Sequence, residues 1–168
     1  ETAVAWQAAI ERRNGPTSLV LSRQALPRFP RTAEQQADLR RGAYVLYGDA
    51  DPQAILIATG SEVALVMAAA RELQIDGVRV RVVSMPCVSL FADQEAEYHD
   101  AVLPPEVRCR VAVEAGVGAG WYSIVGSEGS VISMDSYGAS APAEQLFEKY
   151  GFTTERVVAT VRELLAAQ

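Results

Sequence analysis

The sequence holds one histidine and two cysteines in 168 residues, and each scarcity removes a class of chemistry. Every histidine-dependent triad, dyad or metal cluster would have to rest on His99 alone. Cys87 and Cys109 lie outside any C-x-x-C pattern, so neither a disulfide framework nor a four-ligand zinc site can be built from them. No apolar run approaches the length of a membrane span and no leader pattern precedes the first helical segment, so a cytoplasmic protein is expected. Positive charge is scarce too, at a formal net charge of −6. Residues 1–36 carry five arginines against three glutamates, and residues 37–168 carry ten basic against eighteen acidic groups. An acidic body repels polyanions, which argues against nucleic acid as a partner. What is present is a globular composition, 49% apolar and 21% charged. A chain of this length buries roughly 70% of its unfolded surface and needs no covalent staple. It opens at Glu1 without an initiating methionine, so a piece of a larger protein is expected.

The spacing of Ala3, Trp6 and Ile10 predicts a helix over Thr2–Arg13, stopped by Asn14-Gly15-Pro16. Ser18–Leu21 reads as a short buried strand, and residues 23–36, with Pro27 and Pro30 and no periodicity, as a loop or linker. From Gly42 onward strands alternate with helices. Strands are expected over 43–47, 54–58, 78–83, 107–113 and 129–134. The run Ala54-Ile-Leu-Ile-Ala58 is apolar on both faces, as a central parallel strand should be. In the fourth strand Val107, Cys109, Val111 and Val113 are placed on one face, and Arg108 and Arg110 on the other. Ser61 is read as the cap of a helix with the stripe Val63, Val66, Met67, Ala70 and Leu73. A helix is expected at about 93–101. A last one begins at Thr153, with Phe152 and Val157 as a hydrophobic staple and a stripe through Val158, Val161, Leu164 and Leu165. The fold class that follows is α/β: a three-layer αβα sandwich around a five-stranded, mostly parallel sheet with one antiparallel strand. That strand is the first, at or near an edge, because a tight turn joins it to the second.

Several patterns point to chemistry. Gly116-Val-Gly118-Ala-Gly120 follows a strand, with Asp135 nineteen residues beyond Gly116, and so mimics a dinucleotide fingerprint. Trp121 stands where close helix packing needs a small residue, so a glycine-rich structural turn is preferred. Gly138-Ala-Ser140-Ala-Pro142 resembles a nucleophile elbow that lacks its last glycine, and its base could only be His99, which is read instead as a surface histidine. Cys109 is expected in the core, and Cys87, at a strand end, is the better of the two as a reactive thiol. Thr59-Gly60-Ser61-Glu62 can be an anion-binding helix N-terminus or an ordinary strand-to-helix turn with a serine cap. Arg23 closes the first strand, where a guanidinium is suited to bidentate phosphate recognition, although spacing alone favours a solvated arginine over a ligand contact.

Longer stretches carry a resemblance. Gly15-Pro-Thr-Ser-Leu-Val-Leu-Ser-Arg-Gln24, Ile57-Ala-Thr-Gly-Ser-Glu-Val63, Val80-Arg-Val-Val-Ser-Met-Pro86, Arg110-Val-Ala-Val-Glu-Ala-Gly116 and Tyr137–Thr153 resemble the C-terminal part of the transketolases, in the family's order. The resemblance implies that residues 1–23 end a pyrimidine-binding domain, that 24–37 are a linker, and that 38–168 form the C-terminal domain. It implies a whole enzyme that moves a two-carbon ketol unit between sugar phosphates in the pentose phosphate pathway. That enzyme is a homodimer using thiamine diphosphate and a divalent metal, magnesium or calcium. The family's cofactor motif, activating glutamate and catalytic histidines lie upstream, so this stretch alone is expected to be inactive, structural and dimer-supporting. Of the family's functional residues only Arg23 carries over, as the arginine that holds the substrate phosphate. Other readings stay open: another thiamine-dependent enzyme (a sugar-phosphate synthase or a 2-oxo acid dehydrogenase component), a separately encoded subunit, or a small-ligand module using the 59–62 turn.

Overall fold

Strand β2 (Ala54–Ala58) is buried at all five positions, because it lies third in the sheet and is covered on both faces. The computed structural model describes residues 1–168. Its sheet runs in the order β1-β3-β2-β4-β5, with β1 at Tyr44–Gly48, β3 at Val80–Ser84, β4 at Arg110–Val113 and β5 at Ser130–Ile132. β3, β2, β4 and β5 are parallel, and β1 pairs antiparallel with β3 at one edge. The three-layer α/β sandwich with one antiparallel strand is therefore present.

Alternation along β2 sends its side chains into two cores. Ala54, Leu56 and Ala58 join Val66, Leu73, Val157 and Val161 under helices α3 (Glu62–Ile75) and α8 (Thr154–Ala166). Ile55 and Ile57 join Phe91, Val102, Trp121 and Val125 under α4 (Val88–Ala92), α5 (Ala96–Val102) and α6 (Tyr122–Val125). Each fully buried Leu, Ile or Val in these layers contributes about 1.5–3 kcal/mol. The expected stripe Val63, Val66, Met67, Ala70 and Leu73 is buried throughout. Gly42 is required where the chain enters β1. Its φ is 93°, and a Cβ there would stand 2.4 Å from Cys87 O and Phe91 N, inside the first turn of α4.

Two arginines sit level with Ile55, which pairs with Arg81 on one side and Arg110 on the other. Arg81 is 6% exposed and donates to Asp49 O, Ala50 O, Ala101 O and Val102 O at 2.8–3.3 Å. Arg110 donates to Leu103 O, Pro104 O, Val107 O and Ile124 O at 2.8–3.2 Å. Together they clasp the segment 101–104 that ends α5. This corrects the reading of β4. The strand starts only at Arg110, Val107 packs in the opposite core from Cys109 and Val111, and Arg110 is drawn inward by carbonyl groups.

Other expectations change for local reasons. Ser18–Leu21 forms no strand, and Val20 is 96% exposed. No strand of this chain pairs with it, and an extended segment without a ladder partner has nothing to hold it. The first helix, α1 (Thr2–Glu11), is as expected but buries no residue. Within the expected linker Ala33–Asp38 is helical (α2), started by a capping box between Thr32 and Gln35. Ser61 makes no cap, because its hydroxyl donates to Glu62 Oε1 at 2.7 Å. The helix expected at about 93–101 is present as α5, and α4 precedes it as an additional short helix. Helix α7 (Ala143–Tyr150) is additional. Thr153 Oγ1 does accept from Arg156 N, and Phe152 and Val157 are both buried.

Candidate functional site at the carboxyl end of the sheet

Open α/β sheets bind ligands outside the carboxyl ends of their strands, where the strand order reverses. Here that point lies between β2 and β4, since β2 is flanked by β3 on one side and β4 on the other. The turn Thr59–Ser61 leaves β2 there, and Glu114 follows β4. Glu62 is 3% exposed. Burial, aided by repulsion from Glu114, raises its carboxyl pKa against the hydrogen bonds from Ser61 and the Ala115 and Glu62 backbone. Burial likewise raises Glu114, against a hydrogen bond donated by the Trp121 indole. Both carboxylates at this point therefore take hydrogen bonds from the chain's own groups. The first turn of α3 already has Glu62 as its negative charge, so the anion-site reading of 59–62 gives way to the ordinary turn.

The glycine-rich segment is also structural. Gly118 N donates to Asp135 Oδ1 at 3.3 Å, so the acid closes on the loop. A Cβ on Gly118 would lie 2.3 Å from Ser133 Oγ, which explains the glycine by packing. The following elements are a 3-10 turn at Gly118–Trp121 and the four-residue α6, too short to offer a pyrophosphate a helix dipole. His99 is no free surface residue: its Nε2 lies 2.6 Å from Phe91 O and its ring lies 4.6 Å from that of Phe91. No hydrogen bond joins it to Ser140, which is exposed.

Cys109 is fully buried, and burial pushes its thiol up to about 11. Cys87 is half-buried before α4. A thiol reagent applied to the native protein is expected to modify Cys87 first; faster labelling at Cys109 contradicts the strand phasing.

Arg23 lies in the segment that crosses this end of the sheet. Its neighbour Ser22 places Oγ 3.5 Å from the position a Gly60 Cβ would take. Arg23 is exposed, and its guanidinium makes no hydrogen bond or ion pair within the chain. With Gln24 it lines one side of an open groove of about 570 Å³, and Ala141, Ala143, Leu146 and Phe147 at the start of α7 line the other. The structure brings Arg23 beside the 141–147 segment and leaves Ser140, His99, Cys87 and the 116–120 loop out of that groove. The α7 wall lies within Tyr137–Thr153, which signals the family resemblance but not the helix or its place opposite Arg23.

Comparison with known families decides the relationship. The profile of the transketolase-like TK C-terminal domain matches residues 42–153. The chain belongs to this transketolase C-terminal domain family. It is 54% identical over 167 residues to transketolase 2 of Vibrio vulnificus, an alignment covering 99% of this chain and 25% of that protein. The solved transketolase of Leishmania mexicana superposes with a TM-score of 0.89 at 42% identity, over 99% of this chain and 24% of that one. A Pichia stipitis transketolase solved with sedoheptulose-7-phosphate gives 0.85 at 32% identity, over 98% and 24%. The chain therefore spans about a quarter of the length of the transketolases it matches. No helix of this transketolase C-terminal domain is long and apolar enough to cross a membrane.

Proposed function

We propose that this chain works as the C-terminal part of a transketolase, an enzyme that transfers a two-carbon ketol unit from a ketose phosphate to an aldose phosphate. The observation that carries the reading is the match to transketolase over 99% of the chain and only 25% of the relative. In this reading residues 1–23 end the upstream pyrimidine-binding domain, 24–37 connect, and 38–168 form the C-terminal domain of a cytoplasmic homodimer in the pentose phosphate pathway. Arg23 is the substrate-phosphate ligand. Its exposed guanidinium, free of partners in this chain, supports the assignment, because a phosphate then displaces only water.

Thiamine diphosphate with a divalent metal would supply the carbanion chemistry in the whole enzyme. The residues present here do not fit that group. No cluster of three or more histidine, cysteine or acidic side chains is positioned to hold the ion, and the carboxylates at the switch point take their hydrogen bonds from Ser61, Ala115 and Trp121. Calorimetry of the chain with thiamine diphosphate and magnesium is expected to show no saturable heat, and a ketol-transfer assay no turnover. A micromolar affinity for the cofactor contradicts the placement of its site upstream.

A further inference from the structure

Helix α1 buries no residue of its own, and ten-residue helices are marginal in water without tertiary support. Its C-terminal end is tied by an exposed ion pair between Glu11 and Arg40 at 2.6 Å, which salt screens. Its N-terminal end is different. Glu1 Oε1 accepts three hydrogen bonds: from Tyr44 Oη and Ser84 Oγ, each at 2.7 Å, and from Arg31 Nη2 at 2.9 Å. These donors come from β1, from the carboxyl end of β3, and from the segment before α2. Tyr44 is 1% exposed and Ser84 0%, and Glu1 is the acceptor for both hydroxyls. Arg31 Nε also donates to the Tyr44 oxygen, which leaves the phenolic proton free to point at Glu1.

We infer that Tyr44, Ser84 and Arg31 form a carboxylate socket in the sheet-bearing domain whose occupant is the Glu1 side chain. The socket seats the N-terminus of α1 at the carboxyl end of the sheet, over β1 and β3. The upstream segment is thereby registered at the same end of the sheet as the turn through Gly60 and the groove beside Arg23.

The electrostatics agree with the geometry. Burial alone raises the Glu1 carboxyl, but the bonds from Ser84 and Tyr44 and the Arg31 charge outweigh it and hold the pKa below the usual value. Burial and the neighbouring Glu1 push the Tyr44 phenol up to about 12, so it stays a donor at every physiological pH. The groups facing Glu1 are Arg31, Tyr44 and the hydroxyl of Ser84, none of which titrates near neutrality. A carboxyl with a lowered folded pKa stabilises at neutral pH, and that contribution is lost as pH falls through the lowered value.

Native-state hydrogen exchange of the 168-residue chain tests the socket without reference to catalysis. In the wild type the α1 amides are expected to be protected. Glu1→Gln, and independently Ser84→Ala, should each reduce that protection by about tenfold or more, while the β2 amides of Ile55–Ile57 keep theirs. Tyr44→Phe, which preserves the packed ring, should do the same and should have little further effect when combined with Glu1→Gln. The socket is overturned if the wild-type α1 amides are unprotected, if Glu1→Gln leaves them protected, or if the β2 amides lose protection in step with α1.

Discussion

Arg81→Met is expected to destabilise the domain by about 1–3 kcal/mol, the cost of leaving a buried polar group without its hydrogen-bond partner. The methionine fills much of the same volume, so the cost comes from the acceptors. Asp49 O, Ala50 O, Ala101 O and Val102 O lose their donor; the buried Val102 carbonyl left unpaired costs about 1–3 kcal/mol, and water can reach the others at less cost. A buried ion pair can be exchanged for hydrophobic residues because both partners go. Here the partners are backbone, and no substitution removes them. Arg81→Lys should recover only part of the loss, since three donors on one nitrogen cannot span the β1–β2 turn and the end of α5 together. Arg110→Met should behave similarly, and the double variant should fall short of the sum, because both arginines hold the 101–104 segment. Urea unfolding read by circular dichroism supplies the values. A loss below about 1 kcal/mol for Arg81→Met, within the range of ordinary surface changes, contradicts the clasp.

The same two arginines mark the limit of what was legible. β2 was readable because burial on both faces leaves five consecutive apolar residues, and α3 because its stripe is unbroken over three turns. The antiparallel direction of β1 followed from the short turn that joins it to β2, although β3 and not β2 is its neighbour in the sheet. A charged residue in a strand, however, looks like a solvent position, and only the fold shows that Arg110 reaches four carbonyls. Ser18–Leu21 has the composition of a buried strand, yet no strand of this chain pairs with it and Val20 stays exposed. The Thr32–Gln35 capping box is a helix-start signal in the residues, but it sits just after Pro27 and Pro30 in a stretch without apolar periodicity. At the 59–62 turn a serine before a helix reads as a cap, and only the structure shows that the Ser61 hydroxyl bonds to Glu62 instead. Arg23 could be singled out only through resemblance, because a solvated arginine and a ligand arginine have identical sequence patterns.

The second large effect concerns Arg23. A chimera in which residues 1–168 replace the matching quarter of Vibrio vulnificus transketolase 2 supplies the upstream chain. In it, Arg23→Ala is expected to raise KM for phosphorylated sugars by about one to two decades, at about 1.4 kcal/mol per decade. A guanidinium gripping a phosphate contributes roughly 1.5–3 kcal/mol through charge-assisted hydrogen bonds. Acceptors without a phosphate should change far less, having no such contact to lose. Arg23→Lys should restore part of the affinity, since the charge remains without the planar fork. Equal weakening of both substrate classes would make Arg23 a structural residue at the junction.

The unsubstituted chimera gives the most direct measurement of the account as a whole. Sequence and fold place this chain in register with a quarter of transketolase, and the proposal is that it serves as that quarter. Ketol transfer from a ketose phosphate to an aldose phosphate should then stay within about tenfold of the parent enzyme, a change of no more than about 1.4 kcal/mol in the barrier. A chimera that folds and binds thiamine diphosphate but transfers no ketol unit would contradict it.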